Sequence, residues 1–238
     1  MQPVFIFGIL AFCFGASIPF FARRFGKFLP ADAGTALVRS FHRPRFVRSR
    51  NEQRMKKRNA LRRKLFVSSL AYGVSGVLCA LFLNAYGFSP VFLLMFFICA
   101  LLANIDERLC VLPDVLTVPL IITGFAAAAF HFTGIPSNTA AAGALAGFLL
   151  PTLASALMSA ARPRSLGGGD YKMLAGVGAW MGFLGISAAI LISFAYFILF
   201  AIVRKNKEGP YGNSLLLAVL TVFILEAFGN FSSSFVIG

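Results

Sequence analysis

The sequence predicts an all-α, polytopic membrane bundle of about eight transmembrane helices, and three observations carry that prediction. The 238 residues are 58% hydrophobic and 13% charged, more apolar than a soluble core of this length requires. Apolar runs of spanning length recur along the whole chain. Once those runs are taken as crossings, all 22 Lys and Arg fall in loops on one side or within a few residues of that surface, which the positive-inside rule makes the cytoplasmic side.

The first run, Val4 to Phe21, has no basic segment before it and the pair Arg23 and Arg24 after it. That order predicts an uncleaved span with its N-terminus outside, not a signal peptide. Residues 23–64 follow as a basic cytoplasmic loop holding fifteen of the 22 Lys and Arg. Its last part, "NEQRMKKRNALRRKLF", has the composition of a basic helix lying along the inner surface. The charge, +14 overall, points first to topology and anionic lipid. No nucleic acid is expected, because no aromatic-and-basic recognition motif accompanies it.

Residues 65–238 form the expected core, with seven further spans. Apolar runs cover Leu65 to Leu83, Val91 to Ile105, Val115 to Phe132 and Ala140 to Ala160. The next, Met173 to Val203, is about 46 Å long as helix against a hydrocarbon core of about 30 Å. Broken at "WMGFLG" into a hairpin, it returns Arg204, Lys205 and Lys207 to the inner side; unbroken, it would strand them outside. The last run is Ser214 to Phe228.

Several chemistries are excluded by what is missing. Cys13, Cys79, Cys99 and Cys110 are scattered and form no CxxC knuckle, so they read as small apolar residues and no metal is expected. The two histidines, His42 and His131, stand apart, which removes an HExxH zinc site and a Ser-His triad. "GGGDYK" lacks the spacing and the GK[ST] ending of a P-loop.

What remains is acid. Of the eight acidic residues, all but Glu226 lie on the inner side by this topology, and Asp106, Glu107, Asp114 and Asp170 sit at the ends of spans. Glu226 has no assigned role. Asp106 closes the third span, at the negative end of a helix; Asp170 opens the sixth, after glycines whose N–H groups favour a carboxylate. Opposed settings of this kind suit an acid and base pair, one carboxyl keeping a proton while the other activates water. Spans four and five return both residues to one face. On local grounds alone each has a plainer reading, Asp170 and Asp114 as helix N-caps and Asp106 as an interfacial charge paired with Arg108.

The segments "NIDERLCVLPDVLTVPL" and "LGGGDYKMLAGVGAWMG" resemble the type IV prepilin peptidases, membrane aspartyl proteases of GxGD type. The first motif is an Asp at a span end followed by Leu-Pro-Asp, here Asp106, Leu112, Pro113 and Asp114. The second is Gly-x-Gly-Asp with a basic residue two places on, here Gly167, Gly168, Gly169, Asp170 and Lys172. The resemblance covers roughly residues 90–228, including "GPYGNSLLLA", where Gly212-Asn213 replaces an expected Gly-Pro. It implies that Asp106 and Asp170 are catalytic, with Gly167, Gly168, Gly169, Lys172, Pro113 and Asp114 in the active-site loops. It further implies a bacterial inner-membrane enzyme that removes the short basic leader of type IV prepilins or pseudopilins, after a Gly, at the cytoplasmic face.

Many members hold zinc with two CxxC pairs between spans one and two, in a segment associated with methylating the new N-terminus. This chain has no Cys from Arg23 to Lys64, so it reads as a short form without zinc. Proteolysis needs no cofactor, and S-adenosylmethionine enters only if the chain also methylates. Two other readings stay open at this point: an intramembrane protease of the presenilin or signal-peptide-peptidase type, whose first aspartate follows a Tyr where Ile105 stands here, and a non-proteolytic membrane transporter or pilus assembly component.

Overall fold

The computed structural model describes residues 2–28, 52–159, 167–204 and 209–229. Most of the basic loop, Lys205 and Lys207, and the tail after residue 229 lie outside the described residues. Everything regular among the described residues is helix: α1 (Gln2–Phe28), α2 (Glu52–Ala85), α3 (Phe92–Leu109), α4 (Asp114–Ala129), α5 (Ser137–Ser159), α6 (Gly168–Arg204) and α7 (Gly212–Ala227). Among the described residues four stretches are long and apolar enough to cross a membrane: Ile6–Lys27, Asn59–Ala85, Ser137–Ala156 and Gly168–Val203. α4 and α7 are apolar but shorter, about 24 Å each. Large apolar side chains such as Phe66, Ile122, Leu191 and Ile202 point outward and stay exposed, as lipid-facing residues do.

The chain divides into two compact units, Met1–Asn84 and Ala85–Gly238. In the first, α1 and α2 pack antiparallel through small residues: Gly15 lies on the Tyr72 backbone, Gly73 on the Phe12 ring and Gly76 on the Ala11 carbonyl. Between helices in lipid, close backbone approach supplies the dispersion contact that burial supplies in water. The segment expected to lie as a separate surface helix is instead the start of α2, which runs unbroken from Glu52 to Ala85.

In the second unit α6 is the hub. Its helix is interrupted at Gly182, which has φ 69° and ψ −176°, a left-handed backbone region that glycine adopts without a Cβ clash. The break falls within "WMGFLG", where the length of the apolar run required one. The limb before it, residues 168–181, is flanked by two helices. α4 runs parallel to it, with Gly169 against Leu112, Gly176 against Leu120 and Gly124 against Ala179 and Trp180. α5 runs antiparallel, with Gly147 against Leu174, Gly143 against Gly178, and Thr139 against Gly182.

α3 and α7 pair antiparallel. Gly212 lies against Ala103 and Asp106 at one end, and the Phe223 ring meets Phe92 and Phe96 at 5.0 Å near the other. Trp180 joins that second end, 6.0 Å from Phe92, with its indole N–H donated to the Leu120 carbonyl at 3.0 Å. Beyond Gly182 the chain comes back: Ser193, Phe194 and Phe197 all meet Tyr211, the residue before Gly212, at the Asp106 end.

Because the α5–α6 contact is backbone on backbone, a side chain at its centre has nowhere to go. Gly178→Val places its Cβ on the Gly143 carbonyl and should cost at least about 1–3 kcal/mol. Thermal unfolding in detergent should show a lowered midpoint, whereas Gly87→Ala, at an open turn, should lose no more than a strained φ costs.

Candidate functional site

The first motif is built at the exit of α3. Asp106 is 5% exposed, and its carbonyl accepts the Cys110 N–H at 2.8 Å, closing the helix through a left-handed Cys110. The chain then runs through Val111 and Leu112 to Pro113, whose fixed φ starts α4. Asp106 was expected at the negative end of its own helix, or paired with Arg108. Its Oδ2 instead accepts the Gly212 N–H at 2.8 Å, and the neighbouring Tyr211 N–H favours the same charge. The C-terminal end of α3 is thus answered by the N-terminal end of α7, whose unpaired N–H groups favour an anion. Gly212 makes the approach feasible, since a Cβ there would stand 3.0 Å from Ala103 Cα and 3.2 Å from Asp106 Oδ2.

The second motif is built at the entry of α6. Gly167 precedes the helix and Asp170 is its third residue, with Oδ2 accepting the Gly167 N–H at 3.0 Å and its own N–H donated to the Gly167 carbonyl at 3.0 Å. This is the acidic half of a capping box, not the N-cap that local rules predicted. Gly168 meets open space, while Gly169 has Leu112 so close that a Cβ would come within 2.7 Å of the Leu112 Cβ. Of the three glycines, then, one caps, one leaves space and one docks the second motif onto the first.

Asp114 and Lys172 complete that docking. Asp114 starts α4 without a side-chain capping bond; Lys172 Nζ reaches both its carboxylate oxygens at 2.7 Å. The pair is exposed, so it orients the two loops more than it stabilises them. Arg108, a conceivable partner for Asp106, donates from Nε to Asn104 Oδ1 at 2.9 Å. Glu107 is exposed beside it.

Asp106 and Asp170 come together closely enough that the charge of one acts on the other. Tyr211 belongs to the same cluster. It is 3% exposed, its N–H reaches Asp106, it lies within the field of Asp170, and burial pushes its phenol up to about 12. All eight residues expected in the site thus lie on the loops or helix ends around one pair of carboxyl groups. Sequence reasoning left out Tyr211, Gly212 and Ser193. The first two stand in the quoted "GPYGNSLLLA", but nothing local says that this segment returns to Asp106. Among the described residues no group of three or more His, Cys, Asp or Glu is arranged to hold a metal.

Residues 92–203 match the family model described as the type IV leader peptidase family. The chain is 39% identical over 104 residues to the prepilin leader peptidase/N-methyltransferase of Dickeya chrysanthemi, covering 42% of this chain and 36% of the relative. It is 31% identical over 144 residues to the protein of that name from Neisseria gonorrhoeae, covering 58% and 49%. A third, from Aeromonas salmonicida, is 32% identical over 136 residues, covering 53% and 46%. The chain therefore spans less than half the length of these curated relatives. No solved structure matches it.

Exposed ion pairs contribute about 0–1 kcal/mol, so Lys172→Ala should shift the unfolding midpoint in detergent only slightly. The exchanged pair Asp114→Lys with Lys172→Asp should restore whatever either single change loses.

Proposed function

We propose that this chain, whose residues 92–203 form a domain of the type IV leader peptidase family, is a membrane aspartyl endopeptidase. It removes the short basic leader of type IV prepilins or pseudopilins, after a Gly, at the cytoplasmic face of a bacterial inner membrane. The observation that carries this reading is the convergence of Asp106 and Asp170, each holding a backbone N–H, within reach of each other's charge.

Two neighbouring carboxyl groups resist double ionisation, so near neutral pH they share a proton. The ionised one takes a proton from water, and the resulting hydroxide attacks the scissile carbonyl. The protonated one passes its proton to the leaving amine as the C–N bond breaks. Gly167, Gly168, Gly169, Lys172, Pro113 and Asp114 hold the two loops in register and leave room for an extended substrate, most directly at Gly168, where the backbone is uncovered.

Proteolysis by this route takes no cofactor. Methylation of the new N-terminus would take S-adenosylmethionine, and the absence of cysteine in residues 23–64 argues against a zinc-braced segment for it. We assign that segment to topology and anionic lipid, not to nucleic acid, as the cytoplasmic loop between the first span and a core of seven more. Neutralising five of its arginines should blur membrane orientation, read by the accessibility of single introduced cysteines.

The decisive experiment is co-expression with a candidate prepilin, following leader loss on gels and the mature N-terminus by mass. Asp106→Asn and Asp170→Asn should each lower cleavage by roughly 10²–10⁴-fold with unchanged membrane levels. Normal processing by either variant would remove that aspartate from the mechanism, and the mass of the mature N-terminus decides methylation separately.

A further inference from the structure

Asp106 owes its placement to a turn that is not part of either aspartate motif. The backbone N–H of Gly212 bonds to its carboxylate at 2.8 Å, with the Tyr211 N–H beside it favouring the same charge, so whatever fixes that turn fixes the carboxylate. Tyr211 has a buried hydroxyl, and the hydroxyl meets Ser193 Oγ on the returning limb of α6. The direction of this bond follows from counting protons. Ser193 has a single hydroxyl hydrogen and donates it to the Ile190 carbonyl at 2.7 Å. The bond between Ser193 and Tyr211 is therefore donated by the phenol, which burial keeps protonated. Phe194 and Phe197, at 5.9 and 6.0 Å between ring centroids, hold the ring itself.

We propose that Tyr211 is a positioning residue for Asp106, its phenol anchored to Ser193 so that the Tyr211 and Gly212 N–H groups stay aimed at the carboxylate. This links the limb beyond Gly182, which carries no motif residue, to the catalytic pair. It rests on the reading of Asp106 as catalytic for its effect on rate, but not for its effect on geometry. A flexible turn would let Asp106 rotate away from Asp170, lowering turnover without weakening the hold on substrate. The charged groups acting on Asp106, Asp170 and Glu107, are unchanged in the variants below.

Tyr211→Phe keeps the ring and its two phenylalanine contacts while removing the anchor; Ser193→Ala removes it from the other side. Each should lower kcat for leader cleavage roughly fivefold or more with KM unchanged, the worth of about one hydrogen bond. The double variant should lose no more than either single one, because both delete the same bond. Independently of turnover, hydrogen exchange at the Tyr211 and Gly212 amides should quicken by a similar factor in both. The control is Tyr196→Phe, which removes a hydroxyl pair with Thr221 at 3.0 Å between the same two helices and should leave kcat and those amides as they were. Wild-type kcat and exchange in Tyr211→Phe would overturn the proposal, as would an equal loss in Tyr196→Phe. Should the wild-type protein cleave no prepilin, the peptidase reading fails, and the exchange data alone decide whether Tyr211 positions Asp106.

Discussion

Backbone contact along the first limb of α6 is the constraint on which the rest of the second unit depends. α4 and α5 both approach this limb at glycines, among them Gly124, Gly143, Gly147, Gly169, Gly176 and Gly178. In lipid there is no gain from hiding one apolar side chain behind another, so helices are held by how many atoms they bring into van der Waals range. A stripe without side chains lets whole backbones touch. It also fixes axial register, because each glycine on one helix faces a specific backbone segment or side chain on the next. That register sets Gly169 on Leu112 and hence Asp170, the next residue, on the loop that leaves α3.

A buried carboxylate is expensive unless hydrogen bonds replace its water. Both aspartates meet this condition with main-chain donors taken from helix starts: Gly167 before α6 for Asp170, and Tyr211 with Gly212 before α7 for Asp106. Main-chain donors carry no ionisable proton of their own, so they orient the acids without competing in the proton transfer. They are also orphan N–H groups that would otherwise need a partner at the edge of an apolar phase. The arrangement satisfies helix termini and acids together, and the charges of Asp114 and Lys172 neutralise each other at the surface.

The shortness of several helices fits the same picture. The limb from Gly168 to the Gly182 break is about 21 Å long as helix and α4 about 24 Å, less than a hydrocarbon core of about 30 Å. Helices of this length in a bundle with longer neighbours set their ends below one surface or thin the bilayer there. Asp114 and Asp170 stand at the starts of these two helices.

Much of this was legible in the residues alone, for identifiable reasons. Apolar run length located the helices, because a chain in lipid has to satisfy its backbone locally. The excess of the Met173 to Val203 run over one crossing called for a break, which the structure places at Gly182 because only glycine adopts that backbone cheaply. The paired motifs marked Asp106 and Asp170 through their resemblance to the prepilin peptidases, where local rules alone read each as a cap or an interfacial charge. Sequence did not decide which donors serve each acid. By spacing, Asp106 faced only the end of its own helix and Asp114 looked like a cap; packing gave the first the start of α7, 106 residues away, and the second Lys172, 58 residues away. The surface helix expected in the basic segment became the start of α2, because helix propagation costs less than a stop and a new start. Local composition thus determined the elements and the acids, whereas the turn at Tyr211, its anchor on Ser193 and the meeting of the two carboxyls depend on interhelical register, which only tertiary packing sets.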